Sequence, residues 1–276
     1  MDEALTRRRP WTRQKTVIGM IHLLPLPGSP RYDGDFERVT ERARLDLRNL
    51  GAGGIHGVIV ENYGDAPFYP EAVPAITVAA MSHLATVLRR EAGALPMGIN
   101  VLRNDAAAAL AVAAACGAAF VRINVHCGAM LTDQGIISGR AHDTLRLRET
   151  WCPGVAIAAD VHVKHAVPLA PWDLTAAAAD TWHRGLADAL IITGTGTGRP
   201  VDKGALAAVR QALPEAFLIA GSGVDAESIT GILTHCDAVI AGTALKMDGR
   251  TTGPVDTGRV RRLITIMEET YGHDTP

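Results

Sequence analysis

The chain has 276 residues, a formal net charge of −2 and an apolar fraction of 47%. That apolar share is ample for a buried core and excludes intrinsic disorder, while the near-neutral charge removes the electrostatic basis for a nucleic-acid partner. Cys116, Cys127, Cys152 and Cys236 are widely spaced with no CxxC pair, so neither a zinc site nor a disulfide framework is indicated.

Residues 1–15 are polar and aperiodic and are predicted to form a loose arm. No apolar segment follows Arg7-Arg8-Arg9 to make a secretory signal. Short β-branched runs then alternate with Ala-rich helical stretches. The runs are Val17–His22, Gly57–Glu61, Pro96–Val101, Ala119–Val125, Val155–Val163, Ala189–Thr193, Phe217–Ala220 and Ala238–Ala241. Most stay apolar until their last residues, as parallel strands buried on both faces do. Phe36, Val39, Ala43, Leu47 and Leu50 share one helix face, and Val260, Leu263, Ile264, Met267 and Tyr271 share another. Eight βα units predict a single α/β domain over residues 16–272, a (β/α)8 TIM barrel rather than an open doubly wound sheet. The loops Leu23–Asp35 and His126–Gly139 are long for a compact barrel and are predicted lids or binding loops. No apolar stretch approaches the roughly 18–20 residues of a membrane span. The expected setting is cytoplasmic, with reduced cysteines and a homo-oligomeric chain.

In this fold the active site lies at the C-terminal ends of the strands. Polar residues gather there: His22 on the first strand, Glu61-Asn62 on the second, Asn100 and then Arg103-Asn104-Asp105 on the third. The fourth carries Arg122, Asn124 and His126, and the fifth Asp160, His162 and Lys164. Residues at i, i+2 and i+4 of a strand share a face, so each triplet points one way. Glu61, Asp160 and Lys164 are the expected proton carriers, because a carboxylate beside a lysine tunes both groups for acid/base work. Arg122 is expected to hold an oxyanion or a second anionic group. His22, Asn62, Asn100, Asn124 and His162 are expected to bind substrate. Duller roles stand beside these: Asp105 as a helix cap, Arg122–Asp160 as a structural ion pair, His162 as rim filling. His22, Glu61, Asp160 and His162 include metal-ligand types, which keeps a divalent metal as an alternative. No short ligand motif such as HExxH is present, and no cofactor is expected.

The last three strands end in glycine clusters. Gly194-Thr195-Gly196 follows the sixth, Gly221-Ser222-Gly223 the seventh and Gly242-Thr243 the eighth. Glycine lets backbone approach an anion closely, and barrels of this kind often bind phosphate after strands 7 and 8. These residues are the predicted phosphate clamp. The Gly-Thr-Gly-Thr-Gly run is neither a Rossmann fingerprint nor a P-loop.

Two stretches, Gly19–Pro30 (GMIHLLPLPGSP) and Glu61–Phe68 (ENYGDAPF), resemble the signatures of the BtpA/SgcQ family. Thr132–Ile137 with Gly139-Arg140-Ala141, Ala159–His165 and the Gly-Thr-Gly run are similar too. The likeness runs from Lys15 to about Met267; Ser138 departs from an acidic residue common at that position. The resemblance implies a ribulose-phosphate-binding type of barrel. One branch of that family is named for photosystem I biogenesis at the thylakoid membrane, another stands among sugar-metabolism proteins, and no reaction is firmly attached to either. Two functions follow as expectations: an enzyme of a phosphorylated sugar or nucleotide-like metabolite, or a non-catalytic protein-binding assembly factor.

Overall fold

The computed structural model of the chain describes residues 7–194 and 201–272. The eight barrel strands are β1 (Thr16–His22), β2 (Gly57–Glu61), β3 (Met97–Asn100), β4 (Phe120–Ile123), β7 (Ala156–Val161), β9 (Ala189–Ile192), β10 (Leu218–Ala220) and β11 (Ala238–Ala241). They close in sequence order, with β11 returning to pair in parallel with β1. The helices are α1 (Phe36–Ala52), α2 (Ala75–Glu91), α3 (Ala106–Cys116), α4 (Ala141–Trp151), α5 (Leu174–Ala179), α6 (Lys203–Ala212), α7 (Ile229–Leu233) and α8 (Thr257–Tyr271). Asp35, Asp105, Asp173, Asp202 and Asp256 cap α1, α3, α5, α6 and α8, their carboxylates accepting first-turn backbone N–H groups that have no helical partner.

Alternation along the strands divides the core into two layers. Val17, Ile21, Val58, Val60, Ile99 and Val121 face the helices. Ile18, Met20, Ile59, Phe120, Ala158, Ile191, Ile219 and Ile240 fill the barrel. Phe120 is admitted by Gly98 on β3, where a Cβ would lie 2.3 Å from the ring. The loose arm predicted over residues 1–15 is not borne out for its described part. Trp11 is buried, stacked on Phe217 (5.1 Å, 11°) and edge-on to Phe120 (4.8 Å, 62°). Arg7 donates to the carbonyls of Ala187 and Trp182. The segment therefore plugs the end of the barrel away from the polar strand ends, and apolar burial holds it there.

The long loop after β4 carries a hairpin of β5 (Ala129–Thr132) and β6 (Gly135–Ser138), joined antiparallel by β8 (Ala166–Pro168). Met130 and Ile137 face inward onto Val125 and Val163. Leu131, Ile136, Val167 and Leu169 are exposed on the small sheet's outer surface. The loop after β1 has no helix or strand from Leu23 to Asp35, where Pro25, Pro27 and Pro30 remove backbone donors and fix φ.

Candidate functional site

The inward face turns polar over the last positions of five adjacent strands. His22, Glu61, Asn100, Arg122 and Asp160 replace the aliphatic residues of the layers below, and all but His22 are fully buried. Arg122 and Asp160 form an ion pair: Nη2 lies 3.1 Å and Nε 3.3 Å from both carboxylate oxygens. Asn124 donates to Asp160 Oδ2 at 2.7 Å and accepts from Asn100 Nδ2 at 3.0 Å. The network is buried, so low local polarisability strengthens each bond and raises the cost of any unpaired member. Asn100 Oδ1 is left without a partner.

His22 Nδ1 lies 3.3 Å from the Thr251 carbonyl oxygen, which can only accept, so that nitrogen carries the proton. Nε2, 3.7 Å from Glu61 Oε1, is then the free base. Burial, with Lys246 and Lys164 nearby, holds the His22 pKa well below the ordinary histidine range. Burial also lowers Lys164, helped by the charge of Arg122, and raises Tyr63, whose ring lies 4.7 Å from that of His22.

Two cavities adjoin at Lys164. One, of about 240 Å³, is lined by His22, Arg122 and Lys164 on one side and by Gly221–Asp225, Gly242 and Thr243 on the other. The second, of about 480 Å³, is lined by Glu61, Tyr63, Arg103, Asn124, Lys164 and, from the long loops, Arg31 and Asp133. Gly221 leaves no room for a Cβ, which would meet Ile191 at 2.4 Å, and Gly223 has φ +66°. The backbone therefore comes to the cavity wall where a side chain would not fit or would be strained. Thr243 Oγ1 lies 2.9 Å from Thr251 Oγ1, which ties the β11 end to the loop before α8.

Several predicted residues lie elsewhere or are otherwise engaged. Asn62 accepts from the Leu102 N–H at 2.7 Å and donates to Asp65, lining a separate cavity of about 300 Å³. His162 has φ +52°, which ends the alternation of the strand; its ring faces Trp172 and lines neither mouth cavity, so the predicted Asp160–His162–Lys164 face does not form. His126 likewise turns away, bonding the Gly185 carbonyl. Gly194 is buried, its N–H donating to Ser222 Oγ at 2.9 Å, so it is not part of the cavity lining. Thr195 and Gly196 lie outside the described residues. Asp105 is the helix cap of the duller reading and also accepts from Val73 N–H. Arg31, Asp133, Thr251 and Thr252 were not among the predicted site residues, because each lies in a loop with no periodic signal, although Arg31 and Asp133 fall within the two predicted lid loops. Among the described residues, no group of three or more His, Cys, Asp or Glu side chains could hold a metal ion, and no helix is long and apolar enough to cross a membrane.

The model of the BtpA family matches residues 13–269. The Photosystem I biogenesis protein BtpA of Synechocystis sp. is 45% identical over 253 residues, covering 92% of this chain and 88% of its own. The sgc region protein SgcQ of Escherichia coli is 30% identical over 254 residues, 91% of this chain and 93% of its own. Among solved structures, thiamine phosphate pyrophosphorylase from Pyrococcus furiosus superposes with a TM-score of 0.58 at 15% identity, over 94% of this chain and 98% of that one. At that identity the likeness establishes the barrel alone.

Proposed function

The chain belongs to the BtpA family, and we propose that it is an enzyme acting on a small phosphorylated metabolite, a sugar phosphate or a nucleotide-like ester. One observation carries the reading. A single mouth joins a glycine-walled recess at Gly221–Gly223 and Gly242–Thr243 to a buried set of proton-carrying groups, His22, Glu61 and Lys164. The phosphate lies against the glycine loops, with Ser222 and Thr243 offering hydroxyl donors. The carbon skeleton extends past Lys164 toward Glu61. His22 Nε2 and Glu61 take and return a proton at carbon or hydroxyl. Lys164, its charged form disfavoured by burial, delivers one from the other side or attacks a carbonyl. Isomerisation, epimerisation, aldol-type cleavage and glycosidic-bond cleavage all use these parts. Asp160 is a positioning residue for Arg122 rather than a proton carrier, since Arg122 and Asn124 hold its carboxylate.

A thermal-shift screen with phosphorylated sugars and nucleotides tests this. At ~100 times its Kd a true ligand adds about 2.7 kcal/mol, or about 5–11 °C for chains approaching this size. Lys164→Met should lose turnover. No shift with any phosphate ester, or turnover unaffected by Lys164→Met, refutes the reading.

A protein-binding assembly role draws on a different observation, the exposed apolar outer face formed by Leu131, Ile136, Val167 and Leu169. Leu131→Lys with Val167→Lys separates the two: it should leave ligand binding and turnover intact, whereas an assembly factor would lose its partner.

A further inference from the structure

Among the described residues the fold buries four cations, Arg103, Arg122, Arg148 and Lys246. Three have a carboxylate at hand: Arg122 with Asp160 at 3.1 Å, Arg148 with Asp188 at 2.8 Å, Lys246 with Asp46 at 2.9 Å. Arg103 is the exception. Its guanidinium, on a residue 5% exposed, donates to the Lys164 carbonyl oxygen at 2.7 Å and forms no ion pair among the described residues. Its backbone is fixed on both sides, by the Arg103 N–H donating to the Tyr69 carbonyl and by the Asn62 side chain clasping Leu102. Asn62 therefore aims Arg103 rather than touching substrate. Lys164 lines the same cavity, again with no ion pair among the described residues, and Arg31 stands at its lip.

A buried, unpaired guanidinium is costly, and a fold that pairs its other buried cations has left this one for a partner from outside the chain. The carboxylates on the cavity wall do not supply it. Glu61 lies 3.7 Å from His22, Asp133 is an exposed hairpin-tip residue, and Asp160 behind the wall is held by Arg122 and Asn124; all three act on Arg103 only at a distance. Burial lowers both Arg103 and Lys164 although Asp160 and Glu61 act to raise each of them, and an incoming anion offsets that burial penalty.

We propose that Arg103 and Lys164 form a second anion-binding subsite beyond the glycine recess, so that the metabolite is a phosphate ester carrying a carboxylate or a second phosphate at its far end. This rests on the phosphate reading above and narrows its substrate class. A guanidinium suits either group through paired N–H donors.

Calorimetric titration of the full chain with matched probes tests it. Glucose 6-phosphate against 6-phosphogluconate tests the carboxylate, fructose 6-phosphate against fructose 1,6-bisphosphate the second phosphate, and inorganic phosphate gives the baseline. In at least one pair the doubly anionic member should bind about tenfold tighter or better, in line with a charge-assisted bond. Arg103→Met should erase that preference and leave the affinity for inorganic phosphate unchanged, and Arg103→Lys should restore part of it. Lys164→Met, at a less buried position, should weaken the same preference. If inorganic phosphate binds but neither pair discriminates, or if discrimination survives Arg103→Met and Lys164→Met, the second subsite is overturned while the phosphate reading stands. If no phosphate binds at all, both fall.

Discussion

Asp160→Asn is the sharpest perturbation of the polar barrel layer. The Asp160 carboxylate is inaccessible to solvent and takes both oxygens to Arg122 at 3.1–3.3 Å, with a third donor, Asn124, at 2.7 Å. Asparagine conserves volume but turns one acceptor into a donor and removes the charge. Either orientation opposes an N–H group of Arg122 or Asn124 and leaves the guanidinium buried without a counter-ion. Breaking such a pair from one side costs about 3–5 kcal/mol. At about 2–4 °C per kcal/mol for chains approaching this size, Tm should fall by about 6–20 °C. Circular dichroism melts would show it. The double variant Asp160→Asn/Arg122→Met removes the orphaned charge too, so it should melt above Asp160→Asn alone; the coupling isolates the pair. A fall of under about 2 °C, or a double variant no more stable than the single one, would refute the reasoning and return Asp160 to the proton carriers.

Three further outcomes are expected. Trp11→Ala opens the plugged end of the barrel, losing contact with Phe120 and Phe217, and should cost about 3–5 kcal/mol in urea unfolding. Gly221→Ala places a Cβ 2.4 Å from Ile191 and 2.8 Å from Thr193, so calorimetry should find inorganic phosphate affinity reduced at least about tenfold, with lower Tm. Burial pushes His56 and His126 down to about 4, so the unfolded chain binds more protons below its ordinary pKa of about 6.5; stability is complete above that pH and falls progressively toward pH 4, by up to about 3 kcal/mol for each histidine. His126→Gln should flatten that part of the pH–Tm profile.

The barrel was legible because a parallel strand buried on both faces must be apolar throughout, and most of the eight runs obeyed that rule until their mouths. Parity then placed Arg122, Asn124 and Asp160 correctly on the inner face. It failed at His126 and His162, because the strands end at Ile123 and Val161 and the chain turns, at His162 through positive φ. Trp11 was unreadable as a plug: one aromatic in a polar, aperiodic arm has no pattern, and only the closed barrel end creates its site. The β5–β6 hairpin was hidden in a span read as a loop, since its strands of four residues are too short for a clear period. Arg103 stood in a group read as a strand end and helix cap; its unpaired burial emerges only when the partners of the other buried cations are known.

The central claim is that phosphate binds at the glycine recess beside the proton-carrying groups. A crystal structure of the chain grown with inorganic phosphate tests it most directly. The expected result is an ion within hydrogen-bond reach of Ser222, Gly223 or Thr243, in the cavity that Lys164 and His22 share. An ion bound only elsewhere, or a recess filled by side chains in place of phosphate, would contradict it.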